Sequence, residues 1–386
     1  MSWNRRTFLA AGAPLLGAQA APSDRIRLGL IGAGGRARDL VREVRMAREN
    51  AHIIAVCDVW RVNREAMAAQ LARDFDAPPR QTTRYQELLA MRDVDAVLIA
   101  TPDMTHPRIL ADAIAAGKDV YVEKPFAVDF AEGKMAYKAV KSSNRVVQVG
   151  TQRRSDAGFI GAAKAVQGGA IGKVTRVSMD YHFQSPRWRK DISNVRAEDV
   201  DWEAFQFGGK ISGGFDARKL REWQLFRETT SGISGLWLCH LIDLAAWYLN
   251  DPYPRHAMTM GGVYLYKDGR QTSDVYQTMI EYTDCLVTFA MSLTNPDGGR
   301  NLWFGTKGTM DAEGLRITAA GAATPIERAP DVESHMANFL RCVRSRQTPR
   351  ASVEAGFSHA VAGCMAAVSL ETGRRVRFDA ANLEIV

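Results

Sequence analysis

The 386-residue chain contains only five cysteines, and their spacing indicates neither a disulfide framework nor a CxxC metal site. They are odd in number, lie far apart and stand mostly within apolar stretches: Cys57, Cys239, Cys285, Cys342 and Cys364. Disulfide-rich domains and zinc sites instead carry closely spaced cysteines, such as a CxxC pair. The pattern therefore predicts buried free thiols, no disulfide framework and no metal site.

The sequence also lacks a long hydrophobic run. A helix that spans a bilayer needs about 20 predominantly apolar residues. The apolar stretch at residues 8–16 is only nine residues long, and no other stretch reaches the required length. We therefore predict no stable membrane anchoring.

Charge of one sign is not concentrated anywhere in the chain. Lys and Arg number 50 against 43 Asp and Glu, a net charge of +7 that by itself could indicate a nucleic-acid partner. The densest basic stretch, residues 341–350, has four arginines but no interleaved aromatic residues on which bases could stack. It is typical of a solvated face, so we predict no nucleic-acid partner. With 46% hydrophobic residues, the chain fits a globular protein of about two domains.

Residues 1–20 form a segment of their own, MSWNRRTFLAAGAPLLGAQA. The twin arginine Arg5-Arg6, the short apolar stretch and the final small-x-small triplet resemble a twin-arginine export signal. This resemblance implies a periplasmic or otherwise exported protein that the twin-arginine translocation machinery carries in the folded state. A short amphipathic helix with two chance arginines is the alternative.

A glycine-rich turn follows the first strand-like run, residues 26–31, and precedes a helical pattern. In this turn, GAGGRA at residues 32–37, Gly32 permits a tight bend and Gly34 lets the backbone approach a pyrophosphate. The small Ala37 lets the helix pack on the strand. The pyrophosphate would lie over the helix N-terminus, where free N–H groups favour anions. The turn therefore predicts a dinucleotide site.

A carboxylate follows the second predicted strand, residues 52–57. Asp58 is placed to accept hydrogen bonds from the adenosine ribose hydroxyls, and it would repel a 2′-phosphate. NAD is therefore favoured over NADP, although Arg61 and Arg64 are close enough to weaken that preference.

The first third of the chain alternates strand and helix patterns throughout. This alternation predicts an N-terminal domain at residues 25–150 with a doubly wound parallel sheet of the Rossmann type. Ligands bind such sheets beyond the carboxyl ends of the strands. Two strand ends carry polar residues, TPDMTH at 101–106 and EKP at 123–125.

Residues 151–386 are predicted to form an α+β domain with a large, mostly antiparallel sheet and two C-terminal helices. Strands are expected at 174–183, 261–266, 275–282 and 286–293, and helices at 156–167, 331–345 and 352–373. The segment 187–227 is expected to be a long loop near the site, since long loops in compact domains are usually functional or mobile.

These motifs together resemble the glucose-fructose oxidoreductase and inositol dehydrogenase family, Gfo/Idh/MocA. The matching segments are GLIGAGGRA at 29–37, Asp58, ATPDMTH at 100–106, VEKP at 122–125, VGTQRR at 149–154, VDWEAF at 200–205, and His240 with Asp243 in CHLID. The resemblance covers nearly the whole chain after residue 25, and EKP is its most specific part.

The resemblance implies that Lys124 lies beside the nicotinamide ring and holds the oxygen of the reacting alcohol. Pro125 is often preceded by a cis bond in relatives, and Glu123 is expected to keep Lys124 oriented and charged. On pattern alone, Lys124 could be a surface lysine, and His106 could simply begin a helix. The predicted cofactor-binding residues are Gly32, Gly34, Gly35, Arg36, Ala37, Asp58, Thr101, Pro102, His106, Glu123, Lys124 and Gln152.

His240 resembles the family histidine that acts as general base toward the substrate hydroxyl. A histidine buried in an apolar helix is the alternative. Dehydrogenases of the family usually place an aspartate four residues before this histidine, but here the position is Leu236. That difference makes a simple alcohol dehydrogenase mechanism less straightforward.

Aromatic and hydrogen-bonding side chains of the second domain suit a polyol, although each could instead lie at an interface or on the surface. The predicted substrate residues are Arg153, Tyr181, His182, Trp188, Trp223 and Asp243, with Arg154 and Arg189 as further candidates. The free face of the large sheet is expected to form a homo-oligomer, as in relatives.

Three functions follow from this sequence. The first is an exported NAD-dependent oxidoreductase that acts on a hydroxyl of a sugar, glycoside or cyclitol. The second is an NAD-dependent glycoside hydrolase or lyase that oxidises its substrate transiently and recycles bound NAD. The third is a non-catalytic binding protein of the same fold, against which Lys124 and His240 argue.

Overall fold

The computed structural model describes residues 25–75 and 77–386. The predicted export signal at residues 1–20 lies outside them. Two sheets organise the chain, one in each half.

The first sheet has six parallel strands in the order β3-β2-β1-β4-β5-β6. Its strands are β1 Ile26–Ile31, β2 Ala51–Cys57, β3 Arg80–Thr82, β4 Ala96–Ile99, β5 Asp119–Val122 and β6 Val147–Val149. The intervening helices are α1 Gly35–Met46, α2 Arg61–Asp74, α3 Tyr85–Leu89, α4 His106–Ala115 and α5 Phe130–Lys141. Every residue of β4 and β5 is buried, as expected for strands covered on both faces. The predicted doubly wound parallel sheet is confirmed.

The second sheet has ten strands in the order β14-β13-β12-β11-β7-β10-β9-β8-β15-β16. These are β7 Val174–His182, β8 His256–Gly262, β9 Val275–Glu281, β10 Leu286–Ser292, β11 Gly299–Gly305, β12 Thr309–Asp311, β13 Arg316–Ala319, β14 Ala322–Pro325, β15 Val376–Asp379 and β16 Glu384–Ile385. Only the β7–β10 pair is parallel, so the prediction of a mostly antiparallel sheet is confirmed. Residues of β9 alternate between buried and more exposed, because the sheet packs on one face only.

In the part of the chain that the structure describes, six α-helices accompany the second sheet. They are α6 Ala157–Gln167, α7 Trp202–Gln206, α8 Ala217–Arg221, α9 Cys239–Tyr248, α10 His335–Ser345 and α11 Val353–Thr372. The expectation that no stretch reaches spanning length is wrong for α11, which among the described residues is the one helix long and apolar enough to cross a membrane. Most of this helix is buried inside the molecule. It packs against α5, α9 and β8 and therefore joins the two halves of the molecule.

One predicted strand is wrong. Residues 261–266 were expected to be extended, but β8 ends at Gly262. The buried carboxylate of Asp274 accepts the main-chain N–H groups of Tyr264, Leu265 and Tyr266 at 2.8–2.9 Å. These bonds bend the segment into a turn, because the N–H groups no longer serve a strand ladder.

The first C-terminal helix, α10, packs in the N-terminal domain, whereas the predicted division places residues 151–386 in the second domain. Met336, Phe339 and Leu340 of α10 are buried in the same cluster as Ala37 and Leu40 of α1. The helix therefore belongs to the core of the first domain, although it follows the second domain in sequence.

Candidate active site

A cavity of about 1360 Å³ lies at the carboxyl ends of the first sheet's strands. The turn after β1 and the ends of β2, β4 and β5 form one side of it. Parts of residues 187–240 of the second domain form the other side. This is the edge at which doubly wound sheets bind ligands.

The glycine-rich turn lines the cavity at the start of α1. Gly32 has a φ of 91°, and a Cβ atom there would lie 2.5 Å from the carbonyl oxygen of Ala100. A Cβ atom on Gly34 would have no neighbour within 4 Å, so the space beside this residue is open. Gly35 begins α1, and Ala37 is fully buried against the sheet. An open cradle next to uncapped helix N–H groups suits a pyrophosphate.

Asp58 lies at the same end of the cavity, after β2. Its Oδ2 accepts the Ala33 N–H at 2.7 Å, and its Oδ1 accepts the Trp60 N–H at 2.8 Å. These bonds fix the carboxylate beside the glycine turn, where the ribose of a dinucleotide is expected.

The two arginines near Asp58 are both engaged by protein groups. Arg64 donates to the main-chain oxygen of Asp58 at 2.8 Å, and Arg61 forms an ion pair with Asp199. Asp199 offsets the charge of Arg61, whereas Arg64 donates to a neutral oxygen and keeps its charge beside Asp58. The preference for NAD therefore rests on the Asp58 carboxylate, which suits the ribose hydroxyls and repels a 2′-phosphate.

Lys124 follows β5, and its bond to Pro125 is cis. Its Nζ donates to the main-chain oxygen of Leu236 at 3.1 Å. Leu236 lies in a π-helical turn, Ser234–Leu238, that continues directly into α9. Such turns are wider than an α-helix and are frequent at functional sites. The ammonium therefore has a main-chain oxygen as its partner at the position where relatives carry a carboxylate.

Glu123 does not hold the ammonium of Lys124, in contrast to the expectation. Its buried side chain accepts hydrogen bonds from Arg36 at 2.6 Å, Gln152 at 3.2 Å and Tyr121 at 3.3 Å. Only the main-chain N–H of Lys124 reaches it, at 3.2 Å. Although burial opposes the effect, the Glu123 carboxylate raises the pKa of the Arg36 guanidinium. Glu123 therefore ties β5 to α1 and affects Lys124 through the backbone.

His106 supports the site from within. The residue is 1% exposed, and its ring nitrogens lie 2.8 Å from the Pro125 carbonyl oxygen and 2.9 Å from that of Thr101. Because each ring nitrogen contacts a main-chain oxygen, the ring joins the loops after β4 and β5. Thr101 and Pro102 line the cavity.

His240 is half-buried in the first turn of α9 and lines the same cavity as Lys124. Its ring stands edge-on to Trp237, with 6.4 Å between ring centroids. Burial, followed by the nearby charge of Lys124, lowers the pKa of His240 well below its ordinary value. The imidazole is therefore neutral near neutral pH, the form that can accept a proton. The site thus combines a cationic donor with a neutral acceptor.

Of the predicted substrate residues, only Trp188 and Trp223 line the cavity. Arg153 and Tyr181 are outside it and are held by Glu313, with Arg153 also donating to the Tyr181 hydroxyl at 3.3 Å. His182 ends β7 and is likewise outside the cavity lining. Tyr181 and His182 lie at the carboxyl end of β7, a central strand of the large sheet, and Arg153 lies in a short 3-10 helix, Gln152–Ser155.

Asp243, which was predicted to bind the substrate, is a buried structural residue. It is completely buried and accepts the Arg154 Nε at 2.9 and 3.0 Å. Burial raises the pKa of Asp243, and Arg154 acts against this rise. The pair stabilises α9 behind His240 and does not line the cavity. Arg189, a further candidate, pairs with Glu222 and Asp268.

Residues 187–227, here called the crossing segment, line the cavity, in agreement with the expected position near the site. The segment is not a continuous loop, since it contains α7 and α8, and apart from Trp188 and Trp223 its lining residues were not predicted. Val200 forms a β-bridge with Trp60 of the first domain, beside the Arg61–Asp199 ion pair. Residues 203–209 and Arg187 then line the cavity. The VDWEAF motif at 200–205 marks this segment but does not reveal its contacts, because they join positions more than a hundred residues apart.

This fold and site are those of a two-domain, dinucleotide-dependent oxidoreductase. Residues 26–151 match the oxidoreductase family with an NAD-binding Rossmann fold, and residues 159–311 match the GFO/IDH/MocA C-terminal domain. The chain belongs to the Gfo/Idh/MocA family of oxidoreductases, and its N-terminal domain is the NAD-binding Rossmann domain.

The individual proteins that resemble this chain are more distant from it. Inositol 2-dehydrogenase of Agrobacterium fabrum is 37% identical over 143 residues, which are 36% of this chain and 41% of that protein. The chain thus spans less than two thirds of that curated relative. The WlbA dehydrogenase of Bordetella pertussis, solved with NADH and UDP-GlcNAcA, has a TM-score of 0.71 at 18% identity, covering 92% of this chain and 99% of that one. Aldose-aldose oxidoreductase of Caulobacter crescentus, solved with glycerol, has a TM-score of 0.71 at 18% identity, and the match covers 92% of this chain and 100% of that one. These structural likenesses show the fold.

Proposed function

We propose that this protein oxidises a hydroxyl of a sugar, glycoside or cyclitol by hydride transfer to NAD. The observation that carries the proposal is that Lys124 and His240 line one cavity with the glycine turn and Asp58. The cyclitol substrates named for its inositol 2-dehydrogenase relatives support the substrate class.

The reacting alcohol would lie between Lys124 and His240. The Lys124 ammonium, positioned by the Leu236 carbonyl, donates a hydrogen bond to the alcohol oxygen and stabilises negative charge as it develops. The neutral imidazole of His240 accepts the hydroxyl proton. Bound NAD supplies the acceptor for the hydride that leaves the carbinol carbon.

The experiment is a panel of inositols, aldoses and glycosides mixed with the protein and NAD, with NADH absorbance as the readout. Oxidation of one member, lost in Lys124→Ala, is the expected result. NAD binding without oxidation of any member, and equal carbohydrate affinity in wild type and Lys124→Ala, would favour the non-catalytic alternative.

A redox-neutral glycoside hydrolase or lyase is the second candidate. It is favoured by the absence, among the described residues, of a carboxylate bonded to either the Lys124 ammonium or the His240 ring. An enzyme that returns the hydride to its substrate regenerates its bound NAD, so it needs no external supply of NAD. Release of phenol from an aryl glycoside without net NADH would support it, whereas steady NADH formation with added NAD would exclude it.

We also propose that the protein is exported by the twin-arginine route. Residues 1–20 carry the proposal through the Arg5-Arg6 pair, the short apolar stretch and the small residues that follow. Cell fractionation tests it with the double variant Arg5→Lys and Arg6→Lys. Equal export of the variant and the natural sequence would contradict the proposal.

The free face of the large sheet is our proposed homo-oligomer interface. Met260, Met279 and Leu286 on β8, β9 and β10 are 72%, 47% and 43% exposed. Exposed apolar residues on adjacent strands are typical of a surface that another subunit covers. Light scattering of wild type and Met279→Glu tests this; a monomeric wild type would contradict it.

A further inference from the structure

Arg187 is a half-buried cation of the crossing segment with no hydrogen-bond or ion-pair partner among the described residues. It lines the cavity that contains Lys124 and His240, and its guanidinium takes part in no hydrogen bond or ion pair there. Burial lowers the pKa of Arg187, with no carboxylate near enough to oppose it. A partly desolvated charge is unfavourable unless something else supplies its counterion.

Two aromatic rings fix the orientation of this guanidinium. Its central carbon lies 4.9 Å from the ring centroid of Phe183 and 5.1 Å from that of Trp237. An arginine stacked in this way keeps the N–H donors at its edge available, and their spacing matches a carboxylate. Trp237 also contacts His240, so it lies between Arg187 and the reacting centre.

The backbone on both sides of Arg187 is held in place. Arg270 donates to the Pro186 carbonyl oxygen at 2.6 Å. Glu222 accepts the Arg189 Nε at 2.8 Å and the Lys190 N–H at 2.9 Å.

The next residue is also conformationally unusual. Trp188 has a φ of 69°, a left-handed conformation that a bulky side chain rarely adopts. Such conformations persist when the surrounding structure imposes them, and they concentrate at ligand sites. Hydrogen bonds on both sides of Arg187 therefore fix the backbone that carries it.

None of the described carboxylates that line the cavity forms an ion pair with Arg187. Each has its own partner: Glu123 with Arg36, Glu203 with Arg84, Asp103 with the Thr230 hydroxyl, and Asp58 with two main-chain N–H groups. A bound molecule that carries an anionic group would supply this counterion.

Arg38 and Arg221 also line the cavity without a side-chain hydrogen bond or ion pair among the described residues, but Arg38 belongs to α1 at the glycine turn and Arg221 stacks on Trp60 of the first domain. Arg187 instead lies beside Trp237, next to His240, and the paired donors of its guanidinium match the two oxygens of a carboxylate.

We propose that Arg187 binds a carboxylate of the substrate, so that the enzyme prefers acidic sugars such as uronic acids. This inference rests on the proposed oxidation of a carbohydrate hydroxyl. It extends that proposal by naming the substrate class and the residue that selects it.

The test compares three sugars that share one ring, namely glucuronic acid, glucose and glucose 6-phosphate, and repeats the comparison with the galacto series. For wild type we expect kcat/KM to be highest for the uronic acid. Since a charge-assisted hydrogen bond contributes about 1.5 to 3 kcal/mol, Arg187→Gln should lower kcat/KM for the uronic acid about 10- to 100-fold. The value for the neutral sugar should change less than about threefold.

Arg187→Lys and Arg176→Gln are the matched variants. Lysine keeps the charge without the paired donors, so part of the preference should remain. Arg176 stacks on Phe304 at 4.7 Å outside the cavity, and its substitution should leave all rates unchanged. Thermal unfolding of each variant establishes that it is folded.

Quenching of tryptophan fluorescence by glucuronic acid gives a second readout that does not need turnover. Quenching in wild type but not in Arg187→Gln supports the carboxylate site even if no sugar is oxidised, which would contradict only the proposed function. Oxidation of neutral sugars with no uronic acid preference, or a preference for the phosphate, would contradict only the carboxylate site. Absence of both oxidation and quenching would contradict both.

Discussion

The two sides of the cavity differ in how they are built. On the Rossmann side, Gly34, Asp58 and Lys124 each stand directly after a strand, so the sheet alone brings them to one edge. On the other side, Arg187 and Leu236 reach the cavity through long-range contacts and a π-helical turn. The first side is suited to a constant cofactor, and the second can vary with the substrate. Substitutions should therefore separate into cofactor, chemical and structural effects.

The largest effect is expected at Lys124, where the two sides meet. Lys124→Ala removes the donor to the alcohol oxygen, and kcat/KM should fall about 100- to 1000-fold, the usual cost of losing such a group. NAD affinity should remain close to that of wild type. Lys164→Ala, on the exposed face of α6, is the control and should have no effect. Full activity of Lys124→Ala would show that Lys124 takes no part in the reaction.

The next effect concerns His240 on the substrate side. His240→Asn removes the proton acceptor, and kcat should fall about 100-fold. Because burial and Lys124 lower the pKa of His240, the imidazole becomes protonated only below its ordinary range. Wild-type activity should thus show no loss from His240 protonation between about pH 6 and 8. An acid limb near the ordinary histidine value that disappears in His240→Asn would contradict this lowering.

The glycine turn provides a smaller effect that is confined to the cofactor. Gly34→Val would fill open space, so NAD should bind about 10-fold more weakly or worse while the melting temperature stays near that of wild type. Gly32→Val instead meets the Ala100 carbonyl at a positive φ and should lower the melting temperature. Equal melting temperatures and equal NAD affinities for the two variants would contradict this division of roles.

The smallest catalytic effect is expected at Asp243. Asp243→Ala leaves Arg154 buried without its partner, so the free energy of unfolding should fall by about 3 kcal/mol. The folded variant should keep kcat/KM within about threefold of wild type, since Asp243 does not line the cavity. The double variant Asp243→Ala with Arg154→Met should recover part of the stability. A loss of activity without a loss of stability would return Asp243 to the substrate site.

The same contrast explains what sequence reasoning could predict. The glycine turn, Asp58 and Lys124 were predictable because each lies within a few residues of the strand that positions it. Asp243 was misplaced because it was assigned to the substrate together with the family motif CHLID, whereas its buried partner Arg154 is distant in sequence. The Leu236 carbonyl was not predictable, since a π-helical turn leaves no pattern in side-chain types. Arg187 was missed because the feature that matters, the lack of a hydrogen-bond or ion-pair partner, exists only in the folded chain.

The most direct test of this account is rapid mixing of the NAD-loaded protein with the carbohydrate panel, including uronic acids, while NADH absorbance is followed. We predict that at least one carbohydrate produces NADH, either continuously for net oxidation or transiently for redox-neutral cleavage. The signal should be absent in Lys124→Ala, which still binds NAD. Two results would contradict this function. One is tight NAD binding with neither continuous nor transient NADH formation from any carbohydrate, and the other is an undiminished NADH signal in Lys124→Ala.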